Sequence, residues 1–155
     1  MTGQPAKTVC RSLTAHLEIM AQRPGQLLPG PHLLAMRANL RYDPADPFAV
    51  VLAFRSGDEN WVEWLLSREL LAEGLLLAAG EDVSVGEGDV RISPDCELAG
   101  RVWIGLSSPD GAATLALERA ELEHALDATE ALVPAGSETA GWDPDWPLLL
   151  LSGGE

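Results

Sequence analysis

The sequence predicts an α+β fold made of two β-β-β-β-α units, with antiparallel sheets packed by helices. Three observations predict it. Apolar residues alternate with polar ones at a two-residue period in eight separate segments. Helical spacing appears twice, after the fourth such segment and after the eighth. Breaks rich in Pro, Gly and Asp separate the segments, several of them at hairpin length.

Val9, Leu13, Ala15, Leu17 and Ile19 keep mostly to the strand period, and Leu34, Met36, Ala38 and Leu40 repeat it beyond Pro24-Gly25 and Pro29-Gly30-Pro31. This predicts two strands joined by a long loop. Between Tyr42 and Phe48 stand two Asp-Pro pairs, Asp43-Pro44 and Asp46-Pro47. Each proline removes a backbone donor and forbids a helical residue before it. Both aspartates suit Asx-type turns, so the segment reads as a fixed strand corner. Strands from Phe48 to Arg55 and from Trp61 to Leu66 then flank the polar loop Ser56-Gly57-Asp58-Glu59. Ser67 is placed to cap a short helix and Gly74 to stop it in the left-handed conformation.

Short strands follow near Val83 to Val85, Val90 to Ile92, Val102 to Leu106 and Thr114 to Leu117. From Glu118 to Val133 the residues Leu122, Ala125, Leu126 and Leu132 hold helical spacing, with Glu121, Glu123, Asp127 and Glu130 mostly outward. Pro134 and Gly136 end that helix.

A chain of 155 residues fits one domain, here residues 1–138, followed by a tail of residues 139–155. Its net charge of −14 repels phosphate backbones, so no nucleic-acid partner is expected. The same field opposes direct binding to an anionic membrane, and no apolar run approaches the roughly 20 residues that span a bilayer. The N-terminus lacks the pattern of a secretion signal, which predicts a cytoplasmic protein whose Cys10 and Cys96 stay unpaired, buried or idle.

Candidate chemistry is sparse. Asp43 and Asp46 carry oxygens that suit magnesium or calcium, but no further acids cluster with them, so a turn is the better reading and no metal is expected. Ser107 and Ser108 precede Pro109-Asp110-Gly111, itself a good hairpin connection, and His16, His32 and His124 stand in no motif that supports a nucleophile. Gly86-Glu87-Gly88-Asp89 lacks the lysine and strand-to-helix setting of a phosphate loop. No catalytic or cofactor-binding residue is assigned, and no enzyme or cofactor is expected. The residues chosen as partner or oligomer contacts are aromatic. Trp61 and Trp64 fall on opposite faces of one predicted strand, and Trp142 and Trp146 lie beside Leu148 to Leu151 in the tail. Base stacking on Trp61 or Trp64 is the rival reading, a single-stranded nucleic-acid module.

Five blocks in order carry a resemblance: Leu40 to Val50, Trp61 to Gly74, Gly88 to Pro94, Leu106 to Gly111 and Val133 to Gly136. From about Val9 to Glu138 the chain resembles the SsgA-like proteins, sporulation and cell-division regulators of filamentous actinomycetes. The resemblance implies a Whirly-like fold, a homotrimer and a non-enzymatic adaptor that acts on septum placement or spore-wall assembly at the cell septum. It implies as partners the tubulin-like division protein FtsZ or other SsgA-like proteins. Against the division-recruiting branch, Ser93 replaces a tryptophan before Pro94, Ala128 an arginine before Thr129, and Ala125 a larger aromatic residue. The loop from Pro24 to Pro31 is longer than the family norm.

Overall fold

The computed structural model describes residues 7–19, 32–55, 57–58, 60–78, 83–109 and 111–139. Strands β1 (Val9–Ile19), β2 (His32–Tyr42), β3 (Ala49–Arg55) and β4 (Val62–Ser67) lead into helix α1 (Arg68–Leu75). Strands β5 (Val85–Glu87), β6 (Val90–Pro94), β7 (Arg101–Ser108) and β8 (Gly111–Glu118) lead into α2 (Arg119–Leu132). The two four-strand runs form one eight-stranded sheet, in the order β4-β3-β2-β1-β8-β7-β6-β5, with every pair antiparallel. The join is narrow: Ala15, His16 and Leu17 of β1 face Leu117, Ala116 and Leu115 of β8. Where β8 ends, Glu121 of α2 takes over, its carboxylate accepting from the Thr14 backbone N–H at 2.6 Å and from the Thr14 hydroxyl at 3.1 Å. An edge donor that would lack a strand partner is thereby satisfied.

One face of the sheet carries both helices. Leu13, Leu40, Leu52 and Leu66 from the first half and Ile92, Ile104 and Leu115 from the second are buried with Leu70, Leu71, Leu122 and Ala125 of the helices. Each large aliphatic side chain so buried stabilises the fold by about 1.5–3 kcal/mol. The strand period that marks this face in the sequence also marks the opposite face, which no described helix covers.

The strand corner forms as its residues dictate. The Ala45 N–H donates to Asp43 Oδ1 at 2.9 Å, the Asp46 N–H to the Asp43 carbonyl at 2.9 Å, and the buried Tyr42 hydroxyl to the Pro47 carbonyl at 3.0 Å. The Asx turn is made by Asp43. Phe48 falls outside the strand predicted to contain it and is half exposed, because the chain is still turning there and its carbonyl accepts the Arg68 N–H at 2.8 Å.

Ser67 caps α1, its hydroxyl accepting from the Leu70 N–H at 3.1 Å, a contact that stabilises a helix by about 1 kcal/mol. Gly74 does not stop the helix. It lies inside α1, buried, and an added Cβ would stand 2.5 Å from Ile92 Cγ2, so the missing side chain serves close packing of α1 on β6. The strand expected near Val83 to Val85 forms later, as β5, because its partner is fixed by the two-residue turn Gly88-Asp89, with Gly88 at φ +59 and Glu87 opposite Val90. α2 ends at Leu132, ahead of Pro134 and of Gly136 at φ +89.

Candidate functional site

Arg68 opens α1 directly after the cap, and burial forces its charge to find partners within the protein. It finds them 61 to 70 residues further along the chain. Its guanidinium donates to the Val133 carbonyl at 2.6 Å, to the Thr129 carbonyl at 3.3 Å and to Glu138 Oε2 at 3.0 Å, and it lies 5.1 Å from the centre of the Tyr42 ring. The carbonyls at the end of α2 thus receive a cation from another helix, a favourable placement at the negative end of a helix. The hydrogen bond from Arg68 holds the Glu138 carboxyl below its ordinary value, while burial pushes the Tyr42 hydroxyl up against the opposing pull of Arg68. The clasp ties together the strand corner, both helices and the segment after α2.

A second polar knot sits in the other half. Asp95 is buried, yet its carboxylate accepts from the Glu97 and Leu98 N–H groups at 2.8 Å each and from the Trp103 indole at 2.8 Å, with Arg101 3.8 Å away. Burial raises its pKa, and these donors together outweigh burial and leave it below the ordinary carboxylate value. Both knots use their polar atoms up on the fold itself.

The chosen tryptophans divide. Trp64 packs against the core from β4, and Trp61 stands on the other side, as parity requires, 42% exposed with the Arg55 guanidinium 5.0 Å from its ring centre. Trp61 precedes β4 by one residue, so it is not inside the strand as expected, since pairing with β3 starts at Val62 opposite Phe54. Trp142 and Trp146 lie outside the described residues. Cys10 and Cys96 are unpaired, and of the two alternatives, buried or idle, burial is overturned: both are exposed, because each falls on the solvent side of its segment.

The uncovered face of β2, β3 and β4 is what the sequence reading missed. On it, Arg37 stands opposite Arg55 across the β2–β3 pair, and Asn39 opposite Ala53. Arg41 reaches diagonally to an ion pair with Glu63, and Leu65 is 67% exposed beside Val51. The signal was available as polar residues at every second position of the second strand, Arg37, Asn39 and Arg41, in a chain with ten bases. No group of three or more potential metal ligands occurs among the described residues. The Ser107 and Ser108 hydroxyls donate to the carbonyls of Asp89 and Gly111, at 3.5 and 3.4 Å.

Comparison with known proteins places this geometry. The family described as "Streptomyces sporulation and cell division protein, SsgA" matches residues 36–138. The chain belongs to the SsgA family. It is 45% identical over 116 residues to the sporulation-specific cell division protein SsgB of Streptomyces coelicolor, covering 74% of this chain and 80% of that one. Over 141 residues it is 37% identical to the SsgB of Frankia casuarinae, 90% of this chain against 91% of the relative. A solved chain described as "Mutations in SsgB correlate to longitudinal cell division during sporulation of Streptomyces coelicolor" superposes with a TM-score of 0.72 at 37% identity, covering 90% of this chain and 98% of its own. The SsgA-like sporulation-specific cell division protein of Thermobifida fusca gives 0.72 at 32% identity, covering 97% and 99%. The match of fold and sequence thus extends across both halves of the sheet. No described helix is long and apolar enough to cross a membrane.

Proposed function

We propose that this SsgA-family chain is a non-enzymatic adaptor of sporulation-specific cell division, acting by protein–protein contact at the septum. The observation that carries the reading is the two-way coverage of the SsgB relatives, 90% of this chain and 91% of one relative at 37% identity. The relatives are sporulation-specific cell division proteins, and an adaptor needs a stable scaffold with an exposed face, which a clasped sheet open on one side supplies. Under this reading residues 1–138 act as one Whirly-like domain of two β-β-β-β-α units that assembles as a cytoplasmic homotrimer. Residues 139–155 form a tail whose Trp142 and Trp146 supply partner or oligomer contacts. The partners are division or cell-wall proteins, FtsZ or other SsgA-like proteins among them, and no cofactor takes part.

A fluorescent fusion expressed in a sporulating actinomycete tests this. The expected result is a ladder of foci at sporulation septa, with aberrant septation when the gene is deleted. A diffuse signal throughout sporulation, with normal spore chains in the deletion strain, would overturn it.

A further inference from the structure

The helix-free face of β2, β3 and β4 has an unusual charge arrangement for a chain of net charge −14. Arg37 and Arg55 face one another directly across the strand pair, an arrangement that is destabilising unless an anion lies between or above them. Neither makes an ion pair among the described residues, whereas the neighbouring Arg41 is neutralised by Glu63. Two buried atoms of this face, Arg55 Nε and Asn39 Oδ1, lack hydrogen-bond partners among the described residues. Arg37 is exposed, so its guanidinium is open to a ligand with acceptor atoms of its own. The Arg55 guanidinium carbon lies 5.0 Å from the centre of the Trp61 ring, which restrains the side chain, and a guanidinium binds a carboxylate through its planar fork.

The other end of the same face is mainly apolar, with Asp43 and Asp46 at its rim. Leu65 and Val51 line an open depression of about 350 Å³ with Cys10 and Arg41. Arg37, opposite Arg55, and Arg41, opposite Val51, are four residues apart on β2. A segment lying extended over this face along the strands therefore sets one side chain above the arginine pair and another, four residues on, above the depression.

We infer that this face docks an extended acidic segment of a partner protein, one carboxylate engaging Arg37 and Arg55 and an apolar side chain four residues away entering the depression beside Leu65. The inference rests on the adaptor reading and names the chemistry of the partner. A nucleic acid fits less well, because it carries a charge at every nucleotide past Glu63, Asp43 and Asp46, whereas a peptide can set a single carboxylate at the arginine pair and keep the rest of its contact apolar.

The test uses the full chain and a fluorescein-labelled peptide carrying two adjacent glutamates and a leucine four residues further on, read by fluorescence anisotropy. The expected result is salt-sensitive binding that weakens about ten-fold or more, both in the Arg37→Glu/Arg55→Glu variant and when the peptide glutamates become glutamines. A milder Arg37→Gln/Arg55→Gln variant and a urea melt of each protein separate lost binding from lost folding. Four outcomes would overturn the inference: no binding by the wild-type chain, equal binding by folded charge-reversed protein, binding of oligothymidylate in place of the peptide, or sedimentation showing that charge reversal dissociates an oligomer, which makes the face a subunit contact. The peptide assay is made outside the cell, so its failure leaves the septal fusion experiment to judge the adaptor reading on its own.

Discussion

Arg68 and Arg55 are the same residue type in opposite circumstances, one on the helix side of the sheet and one on the bare side. Arg68 is 3% exposed and donates to two carbonyls and a carboxylate. Arg55 stacks on an exposed tryptophan, faces another arginine and has a buried Nε with no partner among the described residues. A buried charge whose hydrogen bonds are met within the chain holds the fold, and a charge left unmet at a strand surface is available to something else. Under the proposed reading, the two faces of this sheet separate stability from recognition.

The sharpest way to break that comparison is Arg68→Ala. Removing one member of a buried charged cluster leaves the carbonyls of Thr129 and Val133 without a donor, and a loss of about 3–5 kcal/mol is expected in urea unfolding. Gly74→Ala follows. The gain of about 1 kcal/mol in helix propensity is outweighed by the collision with Ile92, and a net loss of about 1–2 kcal/mol is expected by the same measurement.

These two residues also show what the sequence withholds. The alternating strands, the Ser67 cap, the Asx turn at Asp43 and the stop at Pro134 are local, and each follows from neighbours within a few residues. Arg68 finds its acceptors 61 and 65 positions away, and Gly74 meets Ile92 across the join between the two halves. A glycine at the end of an apolar run looks the same whether it ends a helix or admits a neighbouring strand. The merger of the two strand runs into one sheet rests on three residue pairs between β1 and β8, which no local pattern encodes. The candidate surface was legible in part. Strand parity placed Trp61 and Trp64 on opposite sides, but the facing of Arg37 and Arg55 depends on the β2–β3 register, which the proline-rich corner sets and the residue spacing alone does not.

Asp95 extends the comparison to pH. Its pKa is lowered in the folded protein, so its contribution to stability is fully present above its ordinary value of 3.8 and is lost as pH falls through the lower folded value. Asp95→Asn should cost about 1–2 kcal/mol at pH 6, through weaker bonds to the Glu97, Leu98 and Trp103 donors. The difference between the two proteins should shrink as the buffer is taken below the ordinary value, in urea melts across that range.

The smallest expected effect on stability comes from the bare face. Trp61→Ala should change the unfolding free energy in urea by no more than about 0.5 kcal/mol, since the ring is exposed and outside the core, yet it should weaken binding of the acidic peptide by releasing Arg55. A large loss of stability there would erase the distinction between the faces.

The most direct measurement follows the Arg37→Glu/Arg55→Glu protein, checked for an unchanged urea midpoint, as a fluorescent fusion beside the wild type in sporulating hyphae. The account predicts a septal ladder for the wild type and diffuse fluorescence for the folded variant. A variant that forms the same ladder, or a wild type that never leaves the diffuse state, would contradict it.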